Sequence, residues 1–105
     1  ARWRQGFVGW NGPELLRMEG ELLLRREGAD AHGAAEALFG QALDLAARQQ
    51  ADAWALRTSN SLAHLRLVQR REAEARVLLL PWLARLEAMG ECEDAAQTRL
   101  LLSRC

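Results

Sequence analysis

The stretch from residue 13 to 48 constrains the fold most, because it joins two helical patterns and places a lone glycine inside the first. It reads PELLRMEGELLLRREGADAHGAAEALFGQALDLAAR. A glycine in a helix interior costs about 1 kcal/mol relative to alanine, so it is expected where packing requires it. Gly20 is that glycine, and Ala35, Phe39 and Ala42 share one face of the second pattern. We predict a helical hairpin in which the second helix crosses close to Gly20.

The composition favours helices along the whole chain. Half of the 105 residues are hydrophobic, and tyrosine and isoleucine are absent. Alanine and leucine, which dominate, are strong helix formers, whereas strands are built from β-branched and aromatic residues. The length suits one domain with its own core. The expected fold class is all-α.

Caps, breakers and periodicity predict five helices, at about 13–27, 31–49, 53–68, 72–88 and 92–103. Residues 1–12 are expected to be a lead-in or the end of a preceding helix. Asp30 and Asp52 are candidate N-caps, and a glycine follows the first and fourth helices. The third helix is expected to end at a polar corner without a glycine. Pro81 lies inside the fourth pattern, where a kink or a break is expected.

The two predicted hairpins, 13–49 and 53–89, resemble each other at a spacing near forty residues. Ala35, Phe39 and Ala42 have counterparts in Ala75, Leu79 and Trp82, and Gly20 has a counterpart in Ala63. Such a period in a helical chain indicates a solenoid of stacked hairpins, with 92–103 as a capping helix. Chance similarity between alanine-rich helices is the alternative interpretation.

The order Leu16, Gly20, Leu23 and then alanine, aromatic, alanine resembles the tetratricopeptide repeat (TPR). Leucine stands where that family favours tryptophan and tyrosine, and the link between the helices is longer than usual. Residues 13–102 look similar to the C-terminal helical segment of large bacterial signalling ATPases, adenylate cyclases and transcriptional regulators. The resemblance implies a short TPR-like array that binds proteins, at the end of a longer cytoplasmic regulator. No Walker loop, cyclase motif or winged helix occurs in the sequence itself.

Bulk properties argue against several other functions. The charge is balanced, with 14 basic residues, all arginine, against 14 acidic ones, which disfavours direct nucleic-acid binding. The longest apolar run, residues 77–83, is too short to span a membrane. Two cysteines cannot form a disulfide framework and suggest a reducing compartment.

Catalytic and metal chemistry find little support in the spacing of the reactive residues. His32, His64, Cys92 and Cys105 are far apart in sequence, so no metal site, cofactor or catalytic group is expected. The alternative hypothesis is a small helical enzyme or ligand-binding bundle that uses His64 and a cysteine.

The TPR resemblance implies that the first helix of each hairpin faces a binding partner. The implied contact residues are Glu14, Arg17, Glu21, Leu24, Arg57, Asn60, His64 and Leu67. The expected partner is a peptide, a helix of another protein, or a second copy of the chain. The competing interpretation is that these residues form an ordinary solvated face. We also expect the N-terminal end of the array to be covered by self-association or by Trp3 and Trp10.

Overall fold

A computed structural model of the chain describes residues 11–105, and helices account for nearly all of them. The helices are α1 (Gly12–Glu27), α2 (His32–Arg48), α3 (Asp52–Val68), α4 (Glu72–Met89) and α5 (Glu93–Ser103). A 3-10 turn, Gly28–Ala31, links α1 to α2, and residues 11–105 contain no strand. The all-α prediction is confirmed, and each predicted helix end lies within one residue of the observed one. The predicted roles of Trp3 and Trp10 lie outside the described residues.

Helix ends follow the expected chemistry in part. Gly28 and Gly90 adopt positive φ angles of 61° and 79° after α1 and α4. Asp30 was expected to cap α2, but it lies in the 3-10 turn, and Ala31 is the N-cap without a side-chain bond. The 3-10 turn runs directly into α2. Asp30 therefore does not lie at the position just before the helix, where a residue with extended backbone can cap it. Cys92 caps α5, because its sulfur accepts the Ala95 N–H at 3.4 Å.

Within the chain up to Thr58, the first compact unit, α1 and α2 pack as the predicted hairpin. A Cβ atom on Gly20 would lie 2.7 Å from Cε1 of Phe39, closer than any real Cβ contact. Phe39 itself is fully buried. Gly20 is therefore required by the close approach of the Phe39 ring, as the sequence predicted. A neighbouring cluster of Leu16, Leu38 and Ala42 completes this part of the core.

The second compact unit runs from Ser59 to Cys105 and has its own core. Ala63 of α3, Ala75 and Leu79 of α4, and Leu101 of α5 form a fully buried cluster. Ala63 and Leu79 thus belong to one buried cluster in this unit, and Gly20 and Phe39 pack together in the first. The proposed counterparts are therefore buried in both units. The division falls inside α3, whereas the predicted hairpins divided near residue 51.

Pro81 does not break α4, which continues from Glu72 to Met89. Of the kink or break expected at this residue, the break was wrong. Pro81 is exposed, so the carbonyl that loses its helical donor faces water rather than the core. Solvent on that side lets the helix continue through the proline.

The three residues predicted to share one face of α2, Ala35, Phe39 and Ala42, are fully buried. Apolar character does not ensure burial in α1, α4 and α5. Several apolar residues of these helices are exposed, namely Met18, Leu22, Ala73, Leu83, Ala96 and Leu100. Conversely, the middle of α3 buries a run of polar residues, Thr58, Ser59, Asn60 and Ser61. Among residues 11–105, no helix combines the length and apolar character needed to cross a bilayer.

Candidate functional site

Three of the predicted contact residues, Glu14, Arg17 and Arg57, form an ion-pair cluster in the first unit. Arg17 donates to Glu14 through Nε and Nη2, each at 2.8 Å, one helical turn along α1. Arg57 of α3 donates to the same carboxylate at 3.0 Å, and its guanidinium lies 5.4 Å from the Trp54 ring centroid. The cluster connects α1 to α3, so these charges stabilise the unit itself.

The electrostatics of the cluster favour the ionised carboxylate. Burial alone raises the pKa of Glu14, because a charged group is less stable away from water. The hydrogen bonds from Arg17 and Arg57, together with their positive charges, outweigh that effect and hold the pKa of Glu14 below its ordinary value. At neutral pH the cluster therefore carries one negative and two positive charges.

Asn60 was predicted to face outward, but it is only 6% exposed and is used inside the second unit. Its Nδ2 donates to the Asp94 carbonyl at 3.0 Å, and its Oδ1 lies 2.8 Å from the Thr98 hydroxyl. A buried amide must find such partners, and α5 supplies them. Leu67 likewise packs against the core of this unit. The buried Asn60 side chain is not placed to meet a partner at the surface, whereas Leu67 is half-buried.

The other three predicted residues remain at the surface to different degrees. His64 is exposed, and Glu21 and Leu24 are half-buried. Of the whole predicted set, only Glu21 and Arg17 line a groove on the surface of α1.

This groove of about 520 Å³ runs along α1 on its outward side. Its apolar part is formed by Met18, 53% exposed, and Leu22, 52% exposed, which are one helical turn apart. The charged side chains beside them have both signs. The lining residues are Leu15, Arg17, Met18, Glu19, Glu21, Leu22 and Arg25.

The sequence contains a signal for this groove in the apolar residues of α1. Leu16, Gly20 and Leu23 make one stripe at helical spacing, and this stripe faces α2. Leu15, Met18 and Leu22 make a second stripe at the spacing i, i+3, i+7 on a neighbouring face. A single neighbouring helix covers only one apolar stripe, so a helix with two stripes keeps the second one at its surface.

The two thiols form hydrogen bonds at the two ends of α5. The Cys92 sulfur accepts the Ala95 N–H, and the Cys105 thiol donates to the Leu101 carbonyl at 3.3 Å. Within residues 11–105, no group of three or more potential metal ligands comes together. The alternative hypothesis of a small helical enzyme that uses His64 and a cysteine stays a prediction.

Comparison with known proteins adds no assignment, because the chain matches no family model, no curated protein and no solved structure.

Proposed function

We propose that the chain is a non-catalytic protein-interaction module that holds a short helix or extended peptide along α1. The observation that carries the proposal is the groove in which Met18 and Leu22 are each about half exposed between charged residues. Large apolar side chains in a groove with polar borders are typical of helix-in-groove recognition. The module would be a short TPR-like array within a larger bacterial regulatory protein.

The packing supports the TPR-like part of this proposal. In TPR-like hairpins a small residue of one helix receives a large residue of the next, and Gly20 with Phe39 has that relationship. Their proposed counterparts, Ala63 and Leu79, belong to one buried cluster in the second unit. The first helix of each hairpin then faces the partner, which agrees with the position of the groove on α1.

The charges beside the groove define the partner. Arg17 is held by Glu14, so the groove presents a fixed cation at one end. Glu19, Glu21 and Arg25 add charges of both signs along α1. The best-fitting partner therefore has two large apolar residues at helical spacing, with both acidic and basic residues beside them.

The test is a selection of displayed random peptides on the purified chain, followed by affinity measurement. We expect amphipathic peptides with dissociation constants on the order of 1–100 μM, as for small apolar interfaces. The double variant Met18→Glu/Leu22→Glu should weaken their binding at least about tenfold, because it puts charge into the apolar part of the groove.

The matched control places the same two glutamates on α4, in Val77→Glu/Leu80→Glu, where both residues are also exposed. This control should bind the selected peptides like the wild-type chain. Peptides that bind equally well to both variants, or a selection that enriches none, would refute the α1 groove as the binding site.

A further inference from the structure

Helix α4 has a second apolar face opposite the one that it buries. Its core face consists of Ala75, Leu79, Trp82 and Leu86. The opposite face is exposed, with Val77 at 70% and Leu80 at 45%. The exposed apolar residues of this outer face are Ala73, Val77, Leu80, Pro81, Ala84 and Ala88.

These residues form one continuous stripe. Apart from the adjacent residues Leu80 and Pro81, their spacing of three or four positions keeps them on the same side of the helix over about 22 Å, at a rise of about 1.5 Å per residue. A groove of about 320 Å³ lies at the N-terminal end of the stripe, where Ala73 and Val77 meet Arg66 and Leu78. A stripe of this length is larger than the scattered apolar residues of an ordinary surface.

The charged residues along the two borders of the stripe follow a pattern. Glu74 and Arg85 lie on one border, and Arg76 and Glu87 lie on the other, as the helical angle of about 100° per residue requires. On each border an acid and a base are separated by eleven positions, with the residue pair 80–81 near the midpoint. On both borders, the charge before that midpoint has the opposite sign to the charge after it.

We infer that the outer face of α4 binds a second copy of the chain, with the two α4 helices antiparallel and centred between Leu80 and Pro81. In that register Glu74 lies beside Arg85 of the second copy, and Arg76 lies beside Glu87 of the second copy. An antiparallel two-fold axis brings each border against the same border of the other copy, so every charge meets its opposite.

The apolar residues also fit in this register. Val77 and Ala84 both lie near the middle of the stripe, and Val77 lies opposite Ala84 of the second copy. A large residue therefore faces a small one at both ends of the contact, which lets the two helices approach closely. A parallel pair would instead set Val77 against Val77.

The border charges already make contacts within the chain. Arg71 donates to Glu74, whose side chain remains 52% exposed. The Arg85 guanidinium lies 4.7 Å from the Trp82 ring centroid, and the Arg85 residue is exposed. The inference goes beyond the proposed function, because it uses α4 and does not need the α1 groove.

The first test is sedimentation equilibrium of the full chain over about 5 to 500 μM, the range of a small single-helix interface. We expect a reversible dimer for the wild-type chain. Val77→Glu/Leu80→Glu should be monomeric throughout, with unchanged helical circular dichroism. Met18→Glu/Leu22→Glu should dimerise like the wild-type chain. Two results would overturn the inference, whatever the peptide selection shows. One is a monomeric wild-type chain. The other is a dimer that is lost in the α1 variant and kept in the α4 variant.

The second test concerns the antiparallel arrangement. Glu74→Arg and Arg85→Glu each place like charges together, so each variant alone should dimerise about tenfold more weakly than the wild-type chain. Mixing the two variants should restore a dimer. The arginine introduced in one chain then meets the glutamate introduced in the other at one contact, and the native pair forms at the second. A mixture as weak as its components would reject antiparallel pairing, since parallel pairing brings Glu74 beside Arg76.

Discussion

Gly20 shows how one missing methyl group positions two helices. The Phe39 ring occupies the space that a side chain on residue 20 would need, with Cε1 only 2.7 Å from the position of an added Cβ. The ring is fully buried, so it cannot turn away into solvent. The loss of helix propensity at Gly20 is about 1 kcal/mol, and it is offset by a close helix contact that no other residue allows.

Two glycine-to-alanine substitutions are expected to change stability in opposite directions. Gly20→Ala should lower the free energy of unfolding by about 1–3 kcal/mol, because overpacking against Phe39 exceeds the gain in propensity. Gly40→Ala is the matched control in α2, since no described atom lies within 4 Å of its added Cβ. It should raise the free energy of unfolding by up to about 1 kcal/mol.

Urea denaturation followed by circular dichroism measures both effects. A second substitution, Phe39→Leu, should recover part of the loss in Gly20→Ala by removing the ring edge. If Gly20→Ala were as stabilising as Gly40→Ala, the close approach of α1 and α2 would be wrong.

Helices α2 and α3 end with the same motif and without the glycine that usually completes it. After α2, Gln50 has φ 54°, and its N–H donates to the Ala47 carbonyl, while the Ala51 N–H donates to the Ala46 carbonyl at 2.9 Å. After α3, Arg70 has φ 60°, with its N–H on the Leu67 carbonyl and the Arg71 N–H on the Arg66 carbonyl. These paired bonds define a Schellman motif.

Glycine at either position should stabilise the chain. A non-glycine residue in the left-handed region costs about 1 kcal/mol, and glycine removes that cost. We expect Gln50→Gly and Arg70→Gly each to raise the free energy of unfolding by about 0.5–1 kcal/mol in urea titrations. Gln49→Gly is the control, since its φ of −87° gives glycine no advantage there, and it should be neutral or destabilising.

At the scale of the helices, the sequence predicted where each helix ends better than it predicted which side chains each helix buries. Ends are set by local chemistry, such as Pro13 in the first turn of α1 or Gly90 after α4, and the chain shows these signals directly. Faces depend on which neighbour covers a side chain. In α1 and α4 leucine, alanine, methionine and valine surround the helix, so periodicity could not separate exposed Met18 and Val77 from buried residues.

The candidate site was predictable to the same limited extent. The TPR resemblance directed attention to α1, where Glu14, Arg17 and Glu21 do lie near the groove. It also assigned Asn60 to the surface, because the first helix of each TPR-like hairpin is expected to face the partner. Its burial depends on Thr98 and the Asp94 carbonyl, contacts between residues more than thirty positions apart. Such contacts leave no periodic signal in the sequence.

At the scale of the whole chain, zero net charge leaves stability dependent on specific pairs rather than on overall repulsion. The Glu14 side chain is 15% exposed in its pair with Arg17, compared with 70% for the Asp44 side chain in its pair with Arg48. Glu74 also has a lowered pKa, through the hydrogen bond from Arg71, but that carboxylate is exposed and solvent screens it. The Glu14 cluster should therefore make the larger contribution to acid sensitivity.

The pH dependence of unfolding tests this expectation. The pKa of Glu14 is lower in the folded chain than its ordinary value of 4.5, so its stabilising effect is present above that pH. The effect is lost as the pH falls through the lower, folded-state pKa, because both states then bind the proton.

Glu14→Gln should lower the free energy of unfolding by about 1–2 kcal/mol at pH 7 and by much less at pH 3. Asp44→Asn, which breaks an exposed pair at 2.9 Å, should change it by less than about 0.5 kcal/mol at either pH. Urea titrations of the three chains at both pH values measure the differences, and an equal loss for Glu14→Gln at pH 7 and pH 3 would show that its charge does not hold α1 to α3.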